Sequence, residues 1–491
     1  MIQKFLSKYG LSVHLAVLAA LPLALTPFLT AATLGSVTLW LSALAAVWLF
    51  TEPSLRRGEH ISSSRARLFR ELVRDPFLWF LLIALVYVAV RGLNAGLVLA
   101  WTPEESAWAV SDPVWPGFPA SVAGRGFLPF CILLAATLVV LGLRNAVGAA
   151  ARLMFGVVGS FVAGLGGLVA TGLACGDVKA FAEATRPAFA AAPFWASSFG
   201  VWLVLALVSG PTAEAKKWNA ARFLYIFGVA GNLCALVFFA PPLIACLWIL
   251  LALAAFAFAL VYVSRTSTMG AVTRSAALAV FGMAVPVILV MMCETTDFVR
   301  FRLTNLQPSV CLPESWKETS AVLTRIARAM WQGHPWTGVG EGAFGLHLPF
   351  LAEQAEWSVL PLKPSFASNG WIMLLAERGI FGALVLAVGL GLQVTAYVLR
   401  LVGGFRQHKT QDEGGLFLFA VLPAAWVMPF CLLPFVVEMF FSPLLTNPTF
   451  VLTVVVPLAL AAASFPKEKA ASDKAVVSAT VTDTTTKTLE K

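Results

Sequence analysis

Two segments of the chain carry residue types that chemistry needs: HPWTGVGEGAF (334–344) and SNGWIMLLAERG (368–379). Histidine and glutamate side chains can take or give a proton, and an arginine is a cation that does not titrate near neutrality. The first segment is a glycine-rich turn, a geometry that brings backbone N–H groups close to an anion. Glu341 inside that turn argues against a phosphate seated directly on it. His334 precedes Pro335 and is therefore biased away from helical geometry, while His347 follows in the same loop. In the second segment Ser368 or Asn369 can cap a helix and Gly379 can end it, so Glu377 and Arg378 fall at its close.

The elements that must position these residues are apolar helices. The chain of 491 residues is 59% hydrophobic and 12% charged, where a soluble domain carries about 25% charged residues. Apolar runs of about 17–25 residues recur from end to end and do not alternate. This predicts an all-α integral membrane protein rather than a barrel. Twelve spans are expected: about 11–30, 34–51, 76–93, 126–143, 153–174, 193–210, 223–240, 242–263, 276–293, 379–399, 415–436 and 448–465. The first run follows Lys4 and Lys8 and is read as an uncleaved span rather than a leader ending near Ala31. With the N-terminus in the cytoplasm, about 23 of the 34 basic residues fall on the cytoplasmic side. Both termini are then inside. The net charge of +9 reads as this loop bias and not as a nucleic-acid surface.

Four units follow. Residues 1–293 hold nine spans, 294–378 an outer loop with short amphipathic helices, 379–466 three more spans, and 467–491 a disordered cytoplasmic tail rich in Ala, Ser, Thr and Lys. A second outer segment, 94–125, carries Trp101, Trp108 and Trp115 and reads as an interfacial loop. The long loop opens with Arg300 and Arg302 alternating with apolar residues; at headgroup depth they either hold a phosphate bidentately or simply anchor the loop. KETSAVLTRIARAMWQGHP (317–335) reads as an amphipathic helix ending at Gly333, with Ala321, Ile326, Ala329 and Met330 on one face and Arg325 and Arg328 on the other. The glycines of the fifth span (156, 159, 164, 166, 167) suit close helix packing. Cys131, Cys234, Cys246 and Cys431 lie in apolar runs as packing residues, while Cys293 and Cys311 are a candidate pair in an oxidising compartment. No metal-type spacing occurs.

Mid-span ionisable side chains, the usual mark of an ion pathway, are nearly absent; Asn232 and Gln393 are the notable polar residues at depth. This weighs against a transporter or flippase. Arg91, Arg125, Glu377 and Arg378 sit at outer span ends, so any chemistry belongs at the outer membrane face. Arg91 and Arg125 either line the same site or snorkel to headgroups.

The order HP-x-x-GVG-x-G-x-F, a polar-Asn dipeptide, then LLAE-x-G before a span, resembles the O-antigen ligase and O-antigen polymerase family of bacterial envelope enzymes over about residues 295–400. The resemblance implies a GT-C-like glycosyltransferase of the bacterial inner membrane with a periplasmic site. Such enzymes take a glycan from undecaprenyl pyrophosphate and pass it to a lipid or glycan acceptor, with no nucleotide sugar and in general no metal or other cofactor. The implied roles are pyrophosphate binding by Arg300, Arg302 and Arg325, with Arg91, Arg125, Asn369 and Arg378 as further substrate-binding candidates. His334 and Glu377 would shape the pocket, and His347 or Glu341 would act as base. Two positions depart from the family: Ser368 stands where it has the histidine of a His-Asn pair, and Ser320 where it has an arginine. Either another residue supplies the base, or the chemistry is altered, or the chain is an inactive relative that binds lipid-linked glycans.

Overall fold

A computed structural model describes residues 2–26, 28–57, 75–96, 99–102, 107–110, 114–116, 121–145, 149–176, 314–352, 367 and 369–409, with short or single positions at 69, 73, 224, 227–228, 231–232, 436, 439–440, 448–449, 451–456 and 459. The expected spans at 193–210, 242–263 and 276–293 lie outside these residues, as do nearly all of those at 223–240 and 415–436, the loop opening with Arg300 and Arg302, six of the seven cysteine side chains, and the tail.

The described chain is mostly helical. Its helices are α1 (Ile2–Leu25), α2 (Ala31–Arg57), α3 (Pro76–Leu93), α4 (Phe127–Asn145), α5 (Ala149–Gly176), α6 (Glu314–Gly333), α7 (Phe344–Leu351) and α8 (Gly370–Lys409). Between α3 and α4 lies an antiparallel hairpin, β1 (Leu99–Thr102) and β2 (Ala107–Val110), with Trp101 paired to Trp108. The helical expectation stands for the described residues, with this one hairpin added to it. The interfacial loop at 94–125 satisfies part of its backbone by strand pairing, which hydropathy does not register.

Segments of α2 (Ala31–Leu49), α3 (Pro76–Leu93) and α8 (Gly370–Thr395) are long and apolar enough to cross a membrane, and α1, α4 and α5 contain shorter apolar stretches. The exposed faces of these helices are apolar, as lipid requires. Trp40, Leu44 and Val47 on α2, Trp79, Ile83 and Val86 on α3, and Phe381, Leu384 and Val388 on α8 each form an outward stripe at helical spacing. A water-soluble helix puts polar side chains there. The chain is a membrane-embedded helical protein.

Local chemistry sets the ends. Asp75 caps α3 by accepting the Phe77 N–H at 3.1 Å, with Pro76 in the first helical position. Asn369 caps α8 by accepting N–H bonds from Trp371 (3.0 Å) and Ile372 (3.2 Å). Small residues let the bundle close. A methyl on Gly166 of α5 would fall 2.6 Å from the Ala24 Cβ of α1, and one on Gly126 would fall against the backbone of Gly92. Gly166 of the fifth span therefore serves packing. Cys131 is buried and free in α4.

α6 ends at Gly333 as expected, but its buried face differs. Leu323, Ile326, Ala327 and Met330 pack against Phe344 and Leu348 of α7 and Met373 and Ala376 of α8. Ala321 is exposed, lying well round the helix from Ile326. Arg325 and Arg328 are exposed on the far face.

Candidate functional site

The two motifs meet backbone to backbone. Val339 donates its N–H to Ala376 O (2.8 Å) and Gly340 to Glu377 O (3.1 Å). Ile380 donates to Pro335 O (2.9 Å) and Phe381 to Trp336 O (3.1 Å). This double strap is possible because glycine faces glycine. Gly338 and Gly379 both hold positive φ, 68° and 63°. A methyl on Gly338 would strike the Glu377 carbonyl and the Arg378 nitrogen, and one on Gly379 would strike Trp336 O and Gly338 N. At Gly379 the backbone leaves helical geometry, so α8 consists of a first limb, 370–378, and a second limb that continues into the apolar stretch. Most amides of the glycine turn are engaged within the protein. The N–H groups of Gly338, Val339, Gly340 and Ala343 are bonded to His334, Ala376, Glu377 and Gly340 carbonyls, and Phe344 N–H lies 3.5 Å from Glu377 Oε1.

The strap brings charged side chains together. Arg378 Nη2 donates to Glu341 Oε1 at 2.6 Å, in a pair that is largely buried. Glu377 is 6% exposed. Two carboxylates therefore share the neighbourhood of one arginine. A second arginine enters from α3. Arg91 is 1% exposed, donates to Tyr87 Oη (2.7 Å) and to Glu377 O (2.8 Å), and lies over the Tyr87 ring. Its burial does not fit headgroup snorkelling; it ties α3 to the LLAERG motif.

The 121–126 segment completes the frame. Ser121 bridges Glu341 on one side and Ala95 on the other, Val122 donates to Glu341 O (3.0 Å), and Ser121 Oγ donates to Arg91 O (2.9 Å). Arg125 is exposed, with its stem lying along Gly342: a methyl on Gly342, whose φ is 75°, would fall 3.0 Å from Arg125 Cγ. Asn94 holds the loop end by exchanging bonds with Trp115, its Nδ2 reaching Trp115 O at 3.2 Å and its Oδ1 accepting Trp115 N–H at 2.7 Å.

Of the candidate residues, Glu341, Glu377, Arg378 and Arg91 come into one cluster, with Arg125 beside it. His347 is half-buried on α7, and burial, then the charge of His334, lowers its proton affinity below the ordinary histidine value. His334 is exposed at the end of α6. Asn369 uses its Oδ1 to cap α8. Arg325 lies on the outer face of α6. Ser368, Arg300 and Arg302 lie outside the described residues. Sequence reasoning missed Tyr87, Asn94 and Ser121. Tyr87 has a readable signal, four residues before Arg91 on one helical face. Ser121 has none, because its role depends on a contact more than two hundred residues away. Among the described residues no three His, Cys, Asp or Glu side chains gather as a metal site.

Fold and cluster together define a class: a membrane-embedded helical protein with a glycine-jointed cap that holds carboxylates and arginines at the end of a membrane-length helix. Compared with known proteins, the chain matches no family model and no curated protein.

Proposed function

We propose that this chain is a membrane glycosyltransferase of the O-antigen ligase or polymerase type. It moves a glycan from an undecaprenyl-pyrophosphate carrier to a lipid or glycan acceptor at the periplasmic face of the bacterial inner membrane. The reading carries with it twelve spans in a GT-C-like arrangement, with both termini cytoplasmic. One observation supports it above the others. The HPWTGVGEG and LLAERG motifs, distinct in sequence and together the basis of the resemblance, interlock through Gly338 and Gly379 and gather Glu341, Glu377, Arg378 and Arg91.

In this reading the acceptor hydroxyl oxygen attacks the anomeric carbon of the donor. The bond from that carbon to the pyrophosphate oxygen breaks, undecaprenyl pyrophosphate departs with the bonding pair, and the hydroxyl proton passes to a base. Arg125, exposed beside the cluster, and Arg300 and Arg302 are the cations assigned to the departing pyrophosphate. Arg378 is engaged by Glu341 and acts in positioning. Between the two candidate bases, the Glu341 carboxylate is held by Arg378, whereas burial keeps His347 neutral and able to accept a proton. His347 is therefore the assigned base.

Ser368, where the family has histidine, favours a second reading: a relative that binds lipid-linked glycans without transferring them. The test uses purified full-length chain, a lipid-pyrophosphate-linked glycan and extracted envelope acceptors, with Ser368→His run beside the native protein. Transfer by the native chain supports the enzyme. Binding without transfer, with activity gained by Ser368→His, supports the second reading. A flippase would give neither conjugate.

A further inference from the structure

Trp336 belongs to the first of the two strapped motifs, yet its side chain is 60% exposed. Its ring packs against Phe381, with centroids 5.8 Å apart and planes tilted by 43°. Phe381 is itself 51% exposed and begins the outward stripe of α8 that continues through Leu384 and Val388. That stripe belongs to a helix long enough to cross a membrane. Trp336 thus extends a lipid-facing surface past the point where the second limb of α8 ends. The ring is not carried there on a loose loop, because Phe381 N–H is bonded to Trp336 O and Ile380 N–H to Pro335 O. On the other side of Trp336 the exposed residues turn polar, with Gln332 and His334. An indole between an apolar stripe and a polar edge matches the chemistry of the bilayer interface, where an apolar ring with one N–H donor is favoured.

We propose that Trp336 and Phe381 form a membrane anchor: the pair inserts into the interfacial layer of the bilayer and fixes the height of the glycine turn. The occupant of this surface is phospholipid, and the argument is continuity with the lipid-facing stripe of α8. The consequence is positional. Arg378 and Phe381 flank the joint at Gly379, so anchoring Phe381 also fixes the depth of the neighbouring Glu341–Arg378 pair. The anchor stands on the membrane-embedded fold and not on any reading of the chemistry.

The test places a photoreactive aromatic, p-benzoylphenylalanine, at Trp336, at Val388 and at Gln332 in separate full-length chains. Each chain is reconstituted in vesicles of phosphatidylethanolamine and phosphatidylglycerol, irradiated and analysed by mass spectrometry. The expected result is an adduct shifted by the mass of one phospholipid at position 336, in yield comparable to position 388 and lost at position 332. A lipid adduct at 388 with none at 336 would overturn the anchor. So would an adduct at 336 made only to peptide, whether from another segment of this chain or from a second copy.

Discussion

Arg91 sits at the end of a membrane-length helix with its guanidinium turned inward, bonded to Tyr87 Oη and to the carbonyl of Glu377. A buried hydrogen bond to a charged donor is worth about 1.5–3 kcal/mol, and its loss also leaves an acceptor without water. Arg91→Ala is expected to lower the thermal midpoint of the purified protein, with a loss of that order. Arg91→Lys is expected to recover little, because one ammonium cannot reproduce two bonds from a planar fork. Unchanged midpoints in both would remove the tie between α3 and the cap. The Glu341–Arg378 pair makes a second prediction at this scale. A double-mutant cycle with Glu341→Gln and Arg378→Met is expected to give a coupling of roughly 0.5–3 kcal/mol, as for contacting residues. Additive losses would show that the pair has no energetic content.

Among the elements, the glycine joint between the turn and α8 separates two kinds of glycine. Gly338 and Gly379 combine positive φ with backbone directly opposite, whereas a methyl on Gly333 meets open space. Holding a non-glycine residue at such φ costs about 1–3 kcal/mol before any clash. Gly338→Ala and Gly379→Ala are expected to lower the thermal midpoint sharply, and Gly333→Ala to leave it nearly unchanged. Equal midpoints in all three would contradict the strap. α7 contributes a pH dependence through His347, whose proton affinity is lowered by burial and then by His334. The unfolded chain binds that proton first as pH falls below the ordinary histidine range, so the stabilisation is complete above that range and is lost as pH drops through the lowered value. Thermal midpoints read from about pH 8 to about pH 5 are expected to show a greater loss on acidification in the native chain than in His347→Gln, which lacks the titrating group. An unchanged slope would place His347 in water.

For the whole molecule, much was legible in sequence because lipid imposes a blunt rule: only apolar helices of sufficient length can cross. The length of an apolar run found α3, amphipathic periodicity found α6, and the glycines of α5 pointed to close packing. Phase was harder. Ala321 looked like part of the apolar face of α6, but alanine carries little signal, and Leu323 and Ala327 take that side instead. The hairpin at 99–110 escaped because tryptophans read equally well as interface and as strand. The interlock of Gly338 with Gly379 was beyond sequence reasoning, since local pattern shows that a glycine is needed but not which distant backbone requires it. The same holds for Ser121 against Glu341, which joins the first half of the chain to the second.

The central claim, that the strapped motifs form a glycan-transfer site, is tested most directly by conjugate formation from lipid-pyrophosphate-linked glycan. Purified native chain is compared with Arg125→Ala, His347→Gln and Gly333→Ala, each checked for an unchanged elution profile in detergent. The account predicts conjugate from the native chain and from Gly333→Ala, with loss of about 10²-fold or more in His347→Gln, as for removal of a general base, and a marked loss in Arg125→Ala. Full transfer by His347→Gln and Arg125→Ala, or no transfer by the native chain at any acceptor concentration, would contradict it.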